Sequence, residues 1–242
     1  MKRIALATLL AAATAVPAIS QRSDSPPPPA LVVTGNAQIM AVPDEATVRL
    51  GIVRQATAAQ VAQEQANAIG TEILNAIGKL GVPAQQIQTS RLVLSPVYAP
   101  RGPDSRDAPR IVSYTASNVV SVRLQNLSQI GPVIDAGLKA GANQLEGVQF
   151  GLRNDLPSRE QALKQAVAEA RSKAQVMADA LRVALVEVIE VTEGGVSFQP
   201  PQPYALSRAV AAQASDAFTP VSPGEIEVHA SVTVRYRIAP KP

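Results

Sequence analysis

A chain that is exported and has no cysteine can be held together only by its own core, and this sequence carries both marks. Lys2 and Arg3 precede an uncharged apolar run from Ile4 to Val16, and Pro17-Ala18-Ile19-Ser20 then sets small residues three and one positions before Gln21. That is the layout of a secretory signal peptide over 1–20. The run is too short for a spanning helix, which needs about 20 apolar residues. Cleavage is expected after Ser20 or Ala18, and without a following cysteine the lipoprotein route is closed. Roughly 220 residues then remain, enough for one large domain or two small ones.

Composition removes whole classes of function. With no Cys and a single His, disulfide frameworks, thiolate nucleophiles and Cys/His zinc cages are excluded. Loss of Lys2 and Arg3 leaves 20 cations against 19 carboxylates, and no segment concentrates the basic residues, so neither a nucleic-acid nor a membrane footprint is present. Aromatic residues make up 3% and Trp is absent, which removes stacking surfaces for single strands and the aromatic girdles of a membrane barrel. No second apolar span follows the signal.

Residues 21–30 contain Pro26 to Pro29 and read as an extended, proline-rich linker. A two-residue period then begins. Leu31, Val33, Gly35, Ala37 and Ile39 alternate with polar or outward residues, and after Pro43-Asp44 so do Ala46, Val48, Leu50 and Ile52, which predicts an antiparallel pair of strands. Gly35-Asn36 marks either a bulge or a close backbone approach. Helical spacing takes over from Thr57, with Val61, Ala62, Ala66, Ile69, Ile73, Ile77 and Leu80 inward, and it ends at Gly81 and Pro83. Strands are expected over 87–97 and 110–124, the second with Val112, Tyr114, Ala116, Val120, Val122 and Leu124 on one face; 99–109 between them is a long loop.

Ser128 opens a short helix through Leu138, closed by Gly141-Ala142-Asn143, and a strand follows over 145–152. The longest helix is expected from Ser158, in capping-box spacing with Gln161, to about Arg182, with Leu163, Val167, Ala170, Ala174, Met177 and Leu181 as its inner seam. That seam serves either a partner helix or the chain's own sheet. Val186 to Phe198 reads as a hairpin turning at Glu193-Gly194-Gly195. The last strand carries Ile226, Val228, Ala230, Val232, Val234, Tyr236 and Ile238 in one apolar row, opposite Glu227, His229, Ser231, Thr233, Arg235 and Arg237. The element order is therefore ββαββαβαβββ. Before the last strand lies the long loop 199–224, whose Tyr204, Leu206, Val210 and Phe218 suit it either to dock on a neighbouring subunit or to remain an irregular excursion.

The search for chemistry returns structural residues. There is no G-x-S-x-G elbow, phosphate or dinucleotide loop, H-E-x-x-H or calcium loop, so catalytic, cofactor and metal residues are assigned as none. His229 would have to serve any Ser-His-Asp arrangement, and Glu227 or Ser231 beside it in sequence does not orient it; it reads as a structural or solvated histidine. Asp44 and Glu45 are adjacent and point to opposite faces, so Pro43-Asp44 is turn chemistry instead of an acid/base pair. Glu225 with Glu227, or Asp104 with Asp107, fall short of the oxygen count that a hard cation needs.

Taken in order, several segments resemble the SIMPL-domain family: Gly35-Asn36-Ala37 with Pro43-Asp44-Glu45-Ala46, Ile87-Gln88-Thr89, Pro96-Val97-Tyr98, Tyr114-Thr115-Ala116-Ser117-Asn118, Gly141-Ala142-Asn143 leading to Phe150, and Pro223-Gly224-Glu225-Ile226 with Val232-Thr233-Val234. The likeness runs from Val33 to Ile238, within a domain expected over 31–240. One departure is Leu181-Arg182-Val183-Ala184-Leu185, where members often carry glycines. The resemblance implies an α+β fold of two interlocked sheet-and-helix subdomains with mostly antiparallel strands, periplasmic residence, and homo-oligomers in some members. It carries over no catalytic residue. The expectation is a non-enzymatic periplasmic protein acting through self-assembly or contact with envelope proteins, with a role in envelope maintenance or stress tolerance and, as a variant, a peripheral place at the outer membrane. The alternative is a small-ligand or metal-binding protein, or a cryptic hydrolase, with convergent carboxylates.

Overall fold

The computed structural model describes residues 28–100, 108–201 and 219–241. The expected signal peptide, most of the expected linker, and the centres of both long loops lie outside the described residues, and with them Asp104, Asp107, Tyr204, Leu206, Val210 and Phe218.

The two-residue periods at the two ends of the chain meet in one sheet. β1 (Ala30–Ala41), β7 (Ile226–Pro240) and β6 (Val183–Gln199) form, in that spatial order, a three-stranded antiparallel sheet. Leu31, Val33 and Ile39 of β1 and Ile226, Val228, Ala230, Val232 and Val234 of β7 are buried beneath α3 (Leu156–Leu181). The second sheet has the order β3 (Ile87–Tyr98), β4 (Ile111–Leu124), β2 (Glu45–Ala56), β5 (Gln144–Gly151), again antiparallel. Helices α1 (Ala59–Lys79) and α2 (Ile130–Lys139) cover its inner face, joining Val48, Leu50, Ile52, Val120, Val122 and Leu124 to Ala62, Ala66, Ile73, Ile77, Val133 and Ile134 in a separate core. The chain leaves the first sheet after β1, builds all of the second, and returns through α3 to complete the first. This is an α+β fold of two interlocked sheet-and-helix units.

Helix α3 is turned relative to the expected seam. Its buried residues are Ala162, Ala166, Ala170, Ala174 and Ala178, a ridge spaced strictly by four, whereas Val167, Met177 and Leu181 of the expected seam are exposed. The cause lies in β1. A methyl group on Gly35 would stand 2.0 Å from the Ala166 carbonyl oxygen and 2.5 Å from the Ala170 nitrogen, so helix and strand touch at the backbone and only alanine fits between them. The register of β1 with β7 runs unbroken through Gly35-Asn36, which makes this a close approach and not a bulge.

Further expectations are corrected. β1 and β2 do not pair; Pro43-Asp44 carries the chain from one sheet to the other. Residues 186–198 are not a hairpin, because the whole of β6 finds partners along the long β7 and Glu193-Gly194-Gly195 becomes a register shift instead of a turn, leaving the order ββαββαβαββ. The long helix starts at Leu156, whose amide is capped by the Asn154 side chain at 3.2 Å, with Pro157 in its first turn, so Ser158 is not the cap. In the same way Asn126 caps the turn before α2 by accepting from the Ser128 amide at 3.0 Å. Val61, Leu80 and Val112 are exposed, where the helical and strand periods had placed them inward.

Candidate functional site

The segments that mark the resemblance are occupied in holding the fold. The Asp44 carboxylate accepts from the Arg153 amide at 2.6 Å, and its own amide donates to the Gly151 carbonyl, which fastens the crossing between sheets to the end of β5. Glu45 turns away to Arg123, at 3.8 Å. Asn143 lies beyond α2 and treats Val53 as a strand partner: its oxygen accepts from the Val53 amide at 2.9 Å and its amide nitrogen donates to the Val53 carbonyl at 3.0 Å. Asn118 is buried between β4 and α1, donates to Asn67 at 3.2 Å, and shares Gln63 with it. A buried amide without such partners would cost about 1–3 kcal/mol, so this network belongs to stability.

Three carboxylates named in the sequence stay apart. Asp44 serves the β5–α3 turn, Glu225 is exposed ahead of β7, and only Glu227 approaches His229, with Oε1 3.1 Å from Nε2 but without hydrogen-bond alignment. Among the described residues, no group of three or more His, Cys, Asp or Glu side chains is placed to hold a metal ion. His229 does border a concavity of about 350 Å³ on the face of the first sheet that points away from α3, together with Asn36, Gly194, Gly195, Ser197 and Ser231. Its floor exists because Gly194 lies against Ser231, with a notional Cβ 3.1 Å from the serine Cβ, and Gly195 has φ +102°. Small residues make this hollow, and among the described residues no carboxylate lines it.

The strand edges carry the more distinctive surface. β1 and β6 bound one sheet, and β3 and β5 the other. α1 and α3 each lie over the middle of a sheet and leave one outer strand bare: Leu92, Val93 and Leu94 of β3 are 60, 42 and 44% exposed, and Val186, Val188, Ile189 and Val191 of β6 are 49, 51, 42 and 58% exposed. β1 is treated differently. Glu169 of α3 accepts from the Asn36 amide, and Lys173, paired with Glu169 at 2.9 Å, donates to the Thr34 carbonyl at 3.1 Å. The Asn36 amide holds the Glu169 carboxyl below its usual range, with Lys173 adding to the effect. Nothing in the apolar periodicity announced these edges, because an inward-facing row reads alike whether or not a helix reaches it.

No helix among the described residues is long and apolar enough to cross a membrane. Residues 31–236 match the family model SIMPL, described as a protein of unknown function (DUF541). The chain is similar to the 26 kDa periplasmic immunogenic protein of Brucella melitensis biotype 1, with 33% identity over 238 residues that cover 95% of this chain and 93% of the relative. It is similar at 28% identity to the uncharacterized protein YggE of Escherichia coli K12, over 88% of this chain and 84% of the relative, and to YggE of Edwardsiella ictaluri, over 74% of each.

Proposed function

We propose that this periplasmic chain, which belongs to the SIMPL family, acts without catalysis by associating with copies of itself, and that the assembly is what meets other envelope proteins. The observation that carries the reading is the pair of edge strands left bare among the described residues. β3 and β6 expose consecutive apolar side chains beside unpaired backbone groups, a surface that pairs readily with another chain. A role in envelope maintenance or stress tolerance is the biological form of this proposal.

Sedimentation velocity over a micromolar dilution series tests it. The parent should sediment as an oligomer, and Val93→Lys combined with Val188→Lys should shift it towards monomer, because both side chains are exposed and lysine on an edge opposes pairing. A parent that sediments as a monomer throughout, or an oligomer unaffected by both lysines, removes the reading.

A second reading, a small-ligand or metal-binding protein, rests on the hollow beside His229. Since His229 is the sole imidazole of the chain, its ring signals are unambiguous by nuclear magnetic resonance. Their displacement by equimolar zinc would favour this second reading; unchanged signals would eliminate its zinc form.

A further inference from the structure

The four edges of the two sheets are not equivalent. β1 is closed at its centre, where Glu169 and Lys173 take the places that a neighbouring strand's carbonyl and amide would occupy on Asn36 and Thr34. In the antiparallel register those two residues lie opposite Ser231 and Thr233, two apart, so both turn their backbone groups the same way, outward. β6 is long, but its register breaks at Leu185/Glu187, Val188/Glu190 and Glu193/Gly195, and such bulges twist an edge away from a partner. β5 has only 8 residues and a break opposite Arg49/Leu50. Apart from the capped β1, β3 is the edge with the longest register without a break, from Arg91 to Val97.

Pro96 fixes the direction of the backbone in that stretch. Proline is tolerated in a sheet where its missing N–H would have pointed off the edge, and residues two apart share that direction. Leu94 and Leu92 therefore present their amides and carbonyls outward, while Val93 bonds inward to β4. Leu92 and Leu94 lie opposite Asn118 and Ala116, both buried on the helix side, so the two leucines stand on that face beyond the reach of α1. We infer that β3 of two copies of this chain pair antiparallel about Val93, joining their four-stranded sheets into one continuous sheet. The inference rests on the self-association reading and names its contact.

The register is self-complementary. Centring on Val93 sets Leu92 of each copy opposite Leu94 of the other, so outward amides meet outward carbonyls and the leucines bury one another on the helix side. Val93 meets Val93 as a non-hydrogen-bonded pair, the arrangement with the closer Cα atoms. Charge agrees with this choice. Arg91 falls opposite Ser95 and is paired with Glu146 of its own chain. Self-pairing of β6 would instead bring together the carboxylates Glu187, Glu190 and Glu193, and although Arg237 and Arg235 of β7 lie 2.9 and 4.0 Å from the first two, β6 itself carries no lysine or arginine.

The absence of cysteine makes the test clean. Val93→Cys should give disulfide-linked dimers under mild oxidation at least about tenfold faster than Val32→Cys on β1 or Val188→Cys on β6, because a non-hydrogen-bonded antiparallel pair has the Cα separation a disulfide needs. Val32 and Val188 are 55 and 51% exposed against 42% for Val93, so exposure alone predicts the reverse order. A second variant, Leu94→Pro, removes an outward donor and should weaken association at least about tenfold with the circular dichroism spectrum retained. Equal cross-linking at the three positions, or unchanged association of a folded Leu94→Pro, overturns the β3 pairing. If the parent still associates in that case, self-association survives without this contact; if the parent is monomeric, both fail together.

Discussion

Gly35 of β1 and Ala166 of α3 are so close that a methyl group on the glycine would stand 2.0 Å from the alanine's carbonyl oxygen. Backbone meets backbone there, and neither side has a flexible end that can yield. Gly35→Ala is therefore expected to cost about 3 kcal/mol or more, the upper range for overpacking. Gly78→Ala, near the exposed end of α1 with nothing within 4 Å of the added carbon, should stabilise by about 0.5 kcal/mol. Urea unfolding of the two variants measures both signs.

The same contact decides which face of α3 matters. Ala170→Leu should destabilise by about 2–3 kcal/mol, since the side chain has no room against β1. Val167→Ala and Met177→Ala, at exposed positions, should stay within about 0.5 kcal/mol of the parent. The opposite ranking in thermal melts would return the helix to the leucine, valine and methionine seam.

Arg182 ends α3 in the left-handed region at φ +55°, the one non-glycine residue with positive φ among the described residues. It lies within Leu181-Arg182-Val183-Ala184-Leu185, where the family resemblance implies glycines, and its backbone takes a conformation that favours glycine. Arg182→Gly should stabilise by about 1 kcal/mol, because the left-handed conformation costs a residue with a Cβ roughly that much. A loss of stability in chemical denaturation would mean that the arginine side chain holds the helix end in some other way.

Acid should loosen the α3–β1 contact before the sheets. The Glu169 carboxyl is held below its ordinary value of 4.5 by the Asn36 amide and Lys173, so the stability it adds is present above about pH 4.5 and is lost as the pH falls through the lowered folded value. Glu169→Gln removes that dependence. The variant should be less stable than the parent at neutral pH and approach it in acid; parallel stability-against-pH curves would contradict the assignment.

Much of this architecture was readable in advance, and the failures have physical causes. The rows in β2 and β7 declared themselves because each strand packs one face on a helix and a two-residue period survives in full. α1 was readable on its buried isoleucines. α3 was not, because apolar size points to Val167, Met177 and Leu181 while the short distance to Gly35 admits only alanine. Pairing partners were harder still. Pro43-Asp44 looks like a hairpin turn, yet the partner of β1 is the last strand of the chain, and no local pattern encodes that choice. Gly194-Gly195 has turn chemistry but lies opposite a β7 long enough to continue the ladder past it. The bare edges depend on how far each helix reaches across its sheet, which periodicity within one strand does not contain.

Light scattering on residues 21–242 at micromolar concentration addresses self-association most directly. A mass at a whole-number multiple of the monomer, falling on dilution or on Val93→Lys, is the expected result. A mass equal to one chain at every concentration would contradict it.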